Sequence, residues 1–101
     1  MTEFKFTKAQ EDWLAALESG DYKQCFGTAE EAGGLCALSV ALKLHRAKDP
    51  CAQGLVESLL DMKRVGLVRV VRLNDGKRLS FPEIAARIRR EPTRFFTRGA
   101  E

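Results

Sequence analysis

The segment LNDGKRLSFPE, between Leu73 and Glu83, constrains the fold more than any other part of the chain. Residues 74–76 (Asn-Asp-Gly) tolerate the positive φ angles that tight hairpin turns demand. Ser80 and Glu83 form a capping-box pattern, in which two side chains satisfy free backbone N–H groups at a helix start, and Pro82 fits the first turn. The segment therefore predicts a tight turn that leads at once into a helix.

The sequence on either side of this turn predicts a β-hairpin and a final helix. Valines lie between arginines in LVRVVR, and a second short run follows the turn, so we expect a hairpin over residues 67–81. Apolar residues then recur at i, i+3, i+4 and i+7, which indicates one buried face of a helix that ends before Pro92. These apolar residues are Phe81, Ile84, Ala85 and Ile88.

The start of the chain predicts a helix and a short strand. The helix covers residues 8–18, because Thr7-x-x-Gln10 is a second capping-box pattern and Gly20 can adopt the left-handed conformation that ends a helix. Its apolar stripe consists of Trp13, Leu14 and Leu17. The alternating residues 22–26 are typical of a short strand, which could join the hairpin as a third strand.

Two more helices are predicted in the middle of the chain. The sequence LCALSVALKLHRA (35–47) has helical apolar spacing, with His45 expected at the edge of the core. A third helix is expected over residues 51–63, ended by Gly66. We therefore expect a single small α+β domain, residues 1–101, in which about four helices pack with a small antiparallel hairpin or sheet.

Composition excludes several classes of protein. Hydrophobic residues make up 45% and charged residues 31% of the sequence, as in ordinary globular domains rather than disordered chains. No apolar run approaches the roughly 18 residues that a membrane span needs. The first residues lack the apolar core of a secretory signal, so we expect a cytoplasmic location.

The residue types that catalysis and metal binding need are sparse. Cys25, Cys36 and Cys51 are an odd number of cysteines without a Cys-x-x-Cys pair, and they are expected to be reduced and buried. A zinc site would require them to converge with His45, which is the one histidine. No carboxylate pair or phosphate-binding glycine loop is evident. We expect no enzyme activity, no metal and no cofactor.

Charge is distributed unevenly along the chain. Residues 1–61 contain six Lys or Arg and ten acidic residues, a net charge of −4, whereas residues 62–101 contain eleven and four, a net charge of +7. The basic part predicts a surface that binds an anionic partner, although a solvated face or pairing between the two parts would also fit. The candidate partner-binding residues are Arg69, Arg72, Lys77, Arg78, Arg87, Arg90 and Arg94.

The same cations could contact the phosphates of a nucleic acid. SFPEIAARI is similar to the first helix of a helix-turn-helix, but only nine residues follow Pro92, which is short for a recognition helix. Phe95 and Phe96 could stack on bases, fold back onto the core or contact a second copy of the chain.

The motifs WLAALESGDYKQCFGT, GGLCALSVAL and LNDGKRLSFPEIAARIRREP resemble a set of small uncharacterised bacteriophage and prophage proteins. Their pattern is W-x-x-A-L-x-S-G-x-Y-x-Q, then a Cys-Leu helix start, then L-N-D and S-F-x-x-I-A. This chain has Ala37 and Ser39 where the pattern has a second cysteine and a glycine. The matching residues are Trp13, Ala16, Leu17, Ser19, Gly20, Tyr22, Gln24, Gly27, Cys36, Leu38, Leu73, Asn74, Asp75, Ser80, Phe81, Ile84 and Ala85.

The resemblance implies a protein that acts by binding. Small single-domain phage proteins of this kind often inhibit host defence nucleases, as anti-CRISPR proteins do, or serve as regulators. We therefore expect a non-catalytic inhibitor that binds a host protein or ribonucleoprotein complex in the bacterial cytoplasm. The alternatives are a small DNA-binding regulator that uses the same basic surface, and a protein that only forms homodimers.

Overall fold

The fold is rich in α-helix, according to a computed structural model that describes residues 4–27, 30–31, 33–46 and 53–100. The predicted α+β class is thus confirmed in its helices but not in its hairpin. The elements in these ranges are α1 (Lys8–Ser19), β1 (Glu30–Glu31), β2 (Gly34–Leu35), α2 (Ala37–Leu44), α3 (Gln53–Leu60), α4 (Arg64–Val71), a π-helical turn (Arg72–Gly76), α5 (Phe81–Arg90) and a 3-10 turn (Pro92–Arg94).

Both predicted capping boxes are present. The Thr7 hydroxyl accepts a hydrogen bond from the Gln10 amide at 3.1 Å, and the Gln10 side chain accepts one from the Thr7 amide at 2.9 Å. The Gln10 carboxamide is also buried and donates to the carbonyls of Leu60 and Arg98, so it ties α1 to α3 and to the C-terminal segment. Gly20 ends α1 with φ of +81°, as predicted.

The predicted hairpin over residues 67–81 is wrong. This segment contains most of α4, the π-helical turn and the start of α5. Leu67, Val70 and Leu73 are spaced by three residues and are all buried, so the same valines and arginines that alternate along a strand also form a two-sided helix. Tertiary packing has overridden the strand preference of valine.

Gly66 has a different role from the predicted one. It lies inside α4 rather than ending α3, and a Cβ atom at this position would overlap the carbonyl oxygen and Cα of Phe95. The glycine is therefore needed for close contact between α4 and the C-terminal segment. That contact includes the amide of Lys63, which donates to the Phe95 carbonyl at 2.9 Å.

The predicted short strand at residues 22–26 is reduced to a bridge between Gln24 and Leu35. The antiparallel pairing lies instead at β1 and β2, joined through Gly33 with φ of +81°. Because Leu35 belongs to β2, α2 begins two residues later than expected. His45 lies at the C-terminal end of α2 and is exposed rather than at the core edge. The predicted start of the third helix, including Cys51, is outside the described residues.

The core is built from all five helices and from the C-terminal segment. The Trp13 indole donates to the Ala37 carbonyl at 2.9 Å, which fixes α1 against the start of α2. Phe96 packs against Trp13, Phe4 and Phe6, with ring centroids 6.1 to 6.4 Å apart. Phe95 and Phe96 are only 2% and 1% exposed, so they fold back onto the core and offer no surface for stacking on bases or for a dimer contact.

Arg89 joins α5 to α1 on the outside of this core. Its guanidinium donates to both carboxylate oxygens of Glu11 at 2.7 and 3.0 Å and to both of Glu18 at 2.8 and 2.9 Å, and it lies over the Phe6 ring. The hydrogen bonds that Arg89 donates to Glu11 lower the pKa of Glu11 below its ordinary value of 4.5. Bidentate pairing of this kind holds two helices in a defined orientation.

We predict that Gly66→Ala lowers the free energy of unfolding by about 3 kcal/mol, because the new methyl group meets backbone atoms that cannot move independently. Gly54→Ala in α3 is the matched control, since none of the described residues comes within 4 Å of its Cβ position. The control should raise the free energy of unfolding by about 0.5–1 kcal/mol through helix propensity. Chemical denaturation of the three proteins measures both, and equal effects of the two substitutions would contradict the packing described.

Replacing Arg89 should make the free energy of unfolding less dependent on pH in the acidic range. A carboxyl with a depressed folded-state pKa contributes stability above its unfolded pKa, and that contribution is lost as pH falls through the folded value. Arg89→Gln should therefore cost roughly 1 kcal/mol at pH 7, a modest value because these groups are partly exposed. The difference from wild type should shrink once the pH falls below 4.5. A difference that is constant from neutral to acidic pH would refute this role of Glu11.

Candidate partner-binding cleft

A basic cleft of about 250 Å³ lies where the end of α4, the π-helical turn, the end of α5 and the 3-10 turn meet. Five of the seven predicted partner-binding residues line it. The full lining consists of Arg69, Arg72, Leu73, Lys77, Arg87, Glu91, Arg94 and Phe95. We call this site the basic cleft.

The cations of the basic cleft are contributed by several different elements of the fold. Arg69 and Arg72 are three residues apart on α4 and its continuation, so they point to the same side of the helix. Lys77 follows the π-helical turn, Arg87 lies in the last turns of α5, and Arg94 belongs to the 3-10 turn. The cleft therefore exists only in the folded chain, because it brings together residues 69–77 and residues 87–95, which are separated in sequence by the first part of α5.

The floor of the basic cleft is part of the core. Leu73 is 6% exposed and Phe95 is 2% exposed, and both line the cleft from below. The Phe95 carbonyl is held by the Lys63 amide, and the Leu73 carbonyl accepts from the Leu79 amide at 2.9 Å. The backbone that carries the cations is consequently held in place by the packing and hydrogen bonds of the fold.

The basic cleft has a large excess of positive charge. Glu91 is its one carboxylate, 3.6 Å from Arg94, so the five cations leave a net charge of +4 along the lining. Among the residues that the structure describes, no carboxylate is within ion-pair distance of Arg69, Arg72, Lys77 or Arg87. Guanidinium groups in this state can bind carboxylates or phosphates with two parallel hydrogen bonds.

Two predicted residues lie apart from the cleft. Arg78 has a positive φ of 53°, and its guanidinium stacks over the Phe26 ring at 5.1 Å. Arg90 is exposed on α5 but does not line the cleft. The neighbouring Arg89, which was not predicted as a binding residue, is committed to Glu11 and Glu18.

A buried polar network supports the basic cleft from inside. The Asn74 carboxamide oxygen accepts from the Gln24 side chain at 3.0 Å and from the Ala37 amide at 3.2 Å. Its nitrogen donates to the Cys25 carbonyl at 3.0 Å and to the Asp75 carboxylate. We call this the Asn74 network. The sequence indicated Asn74 as a turn residue, and nothing in its local pattern revealed that the side chain is 1% exposed.

The other side chains that could take part in catalysis or bind a metal do not cluster in the described ranges. Cys25 is buried, Cys36 is half-buried with its sulfur 3.3 Å from the Ser39 hydroxyl, and Cys51 is outside the described residues. In the described ranges, no three His, Cys, Asp or Glu side chains come together in a way that could hold a metal ion. Nor does any helix there have the length and apolar character to cross a membrane.

No protein-family model, curated protein or solved structure matches this chain.

We predict that Asn74→Ala destabilises the fold by about 3 kcal/mol, because it removes the four hydrogen bonds of a buried carboxamide, including the one that the Ala37 amide donates. Asp75→Asn is the matched control, since an amide oxygen at this position can still accept from Gly27 and Asn74. Thermal or chemical unfolding measures both variants. If the control were as destabilising as Asn74→Ala, the network would not depend on the Asn74 carboxamide.

Proposed function

We propose that this protein is a non-catalytic binding protein whose basic cleft docks an acidic surface of a larger protein or ribonucleoprotein assembly. The observation that carries the proposal is the convergence of five cations, four of them without a carboxylate partner among the described residues. Like charges held close together repel one another and oppose the compact state. Carboxylates of a partner would relieve that repulsion, which gives binding a favourable electrostatic term.

The distribution of the other arginine side chains supports this use of the cleft. Arg89, Arg64 and Arg98 pair with acidic residues of the chain itself, so they contribute to the fold. Among the described residues, the cleft cations form no such ion pairs with acidic residues, apart from the 3.6 Å contact of Arg94 with Glu91. Binding of an acidic partner would explain why the cleft cations are present.

The resemblance to small phage and prophage proteins suggests what kind of assembly is bound. An inhibitor of a host defence complex needs no chemistry of its own, because it works by covering a surface that the complex requires. A positively charged cleft suits a protein surface that is acidic. In this proposal the protein acts in the cytoplasm of the bacterial host.

A DNA-binding regulator is the alternative, since phosphates are also anions. The two phenylalanines that could have stacked on bases are buried, which removes one means of binding single strands. This observation favours a protein partner. The salt dependence of binding distinguishes the two, because phosphate contacts release condensed counterions and carboxylate contacts do not.

The first test compares two triple variants that change the net charge equally. Arg69→Gln, Arg87→Gln and Arg94→Gln neutralise the cleft, whereas the control neutralises exposed cations elsewhere: Lys5→Gln, Lys43→Gln and Arg90→Gln. Immobilised wild-type protein and the control should retain the same host proteins, identified by mass spectrometry, and the cleft variant should lose them. Retention of those proteins by the cleft variant would refute the proposed surface.

The second arm tests the alternative directly. Labelled duplex and single-stranded DNA are titrated with wild-type protein at low and moderate salt. The DNA-binding alternative requires affinity that falls by about one log unit per log unit of salt for each phosphate contact. We expect no binding beyond that of the cleft variant, and a steep salt dependence that disappears in the cleft variant would favour DNA.

A further inference from the structure

The solvent-facing side of α4 carries aliphatic side chains beside the cations of the basic cleft. Val65 is 58% exposed and Val68 is 41% exposed, and Leu55 is the one other large apolar side chain so exposed in the described ranges. Val65, Val68, Arg69 and Arg72 are spaced as i, i+3, i+4 and i+7, so they form a single stripe along the helix. We call these four residues the α4 stripe.

Val65 and Val68 are not part of the hydrophobic core. The buried face of α4 consists of Gly66, Leu67 and Val70, on the opposite side of the helix. Val65 and Val68 therefore do not contribute to packing in the way that the rest of the helix does. Each lies one helical turn before an arginine of the cleft, so the stripe and the cleft form one continuous surface.

The alternation of aliphatic and cationic side chains restricts the chemistry of the partner. A nucleic acid would supply phosphates for Arg69 and Arg72 but would cover the valines with charged, hydrated backbone. A protein segment that carries both carboxylate and aliphatic side chains matches both parts of the surface. Charge complementarity at the arginines and burial of the valines would then favour binding at the same time.

We infer that the α4 stripe and the basic cleft together bind an amphipathic segment of a protein, in which acidic residues alternate with aliphatic ones. The inference rests on the proposed function and specifies the partner's contacting segment. The stripe extends for about 10 Å along α4, given the rise of 1.5 Å per residue, which is about two turns of a partner helix. A segment of this kind can be recognised by two aliphatic and two or three acidic side chains on one face.

The test selects ligands from a displayed library of random peptides of about 12 residues, a length sufficient for the recognition of a short helix. Wild-type protein is the target, and the cleft variant with glutamine at Arg69, Arg87 and Arg94 removes peptides that bind elsewhere. We expect the retained peptides to be enriched in both acidic and aliphatic residues with helical spacing. Acidic enrichment without aliphatic enrichment would overturn the inference but leave the proposed function standing.

The selected peptides are then titrated against wild type, against the double variant Val65→Gln with Val68→Gln, and against the control Leu55→Gln. The control replaces a leucine on α3 that is about as exposed as Val68. Glutamine favours helix at least as well as valine, so a loss of binding would not reflect a loss of α4. The double valine variant should bind about tenfold or more weakly, and the control should bind like wild type. Equal binding by all three proteins would overturn the inference.

Two further outcomes separate this inference from the proposed function. If no peptide is enriched over the cleft variant, the inference fails, and the retention of host proteins by wild type and cleft variant still decides the proposed function. If single-stranded DNA binds the wild type and the double valine variant equally, and no peptide is enriched, the surface binds nucleic acid and both proposals are replaced by the alternative. Circular dichroism of every variant confirms that the helices are intact before binding is compared.

Discussion

The buried carboxamide of Asn74 is the interaction on which the rest of the structure depends. Its oxygen accepts two hydrogen bonds and its nitrogen donates two, so its full capacity is used inside the protein. The bonds reach three separate parts of the chain: Gln24 and Cys25 after α1, the first amide of α2, and Asp75 in the same turn. In the described ranges, no buried polar side-chain atom is without a partner. A fully satisfied network of this kind specifies one conformation of the turn.

The position of the basic cleft follows from that turn. The π-helical turn keeps Leu73 and Asn74 inside, so Arg72 and Lys77 on either side of them face outwards into the cleft. The capping box at Ser80 then starts α5, whose end brings in Arg87. Gln24, Gly27, Asn74 and Asp75 meet in or beside the Asn74 network. Their hydrogen bonds fix the turn, and the cations on either side of it remain at the surface.

Local chemistry made part of this structure predictable. Both capping boxes, the end of α1 at Gly20 and the buried face of α5 depend on residues that are close in sequence, and all were predicted correctly. The segment around Val68 was not, because valines between arginines fit a strand and a two-sided helix equally well, and packing of Leu67 and Val70 against the core decides between them. The role of Gly66 was predicted wrongly because a glycine is needed there to make room for the backbone of Phe95, which is far away in sequence. Charge distribution along the chain pointed to five residues that the structure brings together in one cleft, but the separation of Arg78 and Arg90 from the cleft depends on side-chain placement.

The Asn74 carboxamide can be observed directly by nuclear magnetic resonance, since Asn74 is the only asparagine in the sequence. Hydrogen exchange of its two side-chain N–H protons with D₂O measures whether the network is formed in solution. We predict that both protons exchange as slowly as the backbone amides of the core, because they are buried and donate to Cys25 and Asp75. Exchange at the rate of an exposed amide side chain would contradict the buried network, and with it the fixed turn that forms the basic cleft.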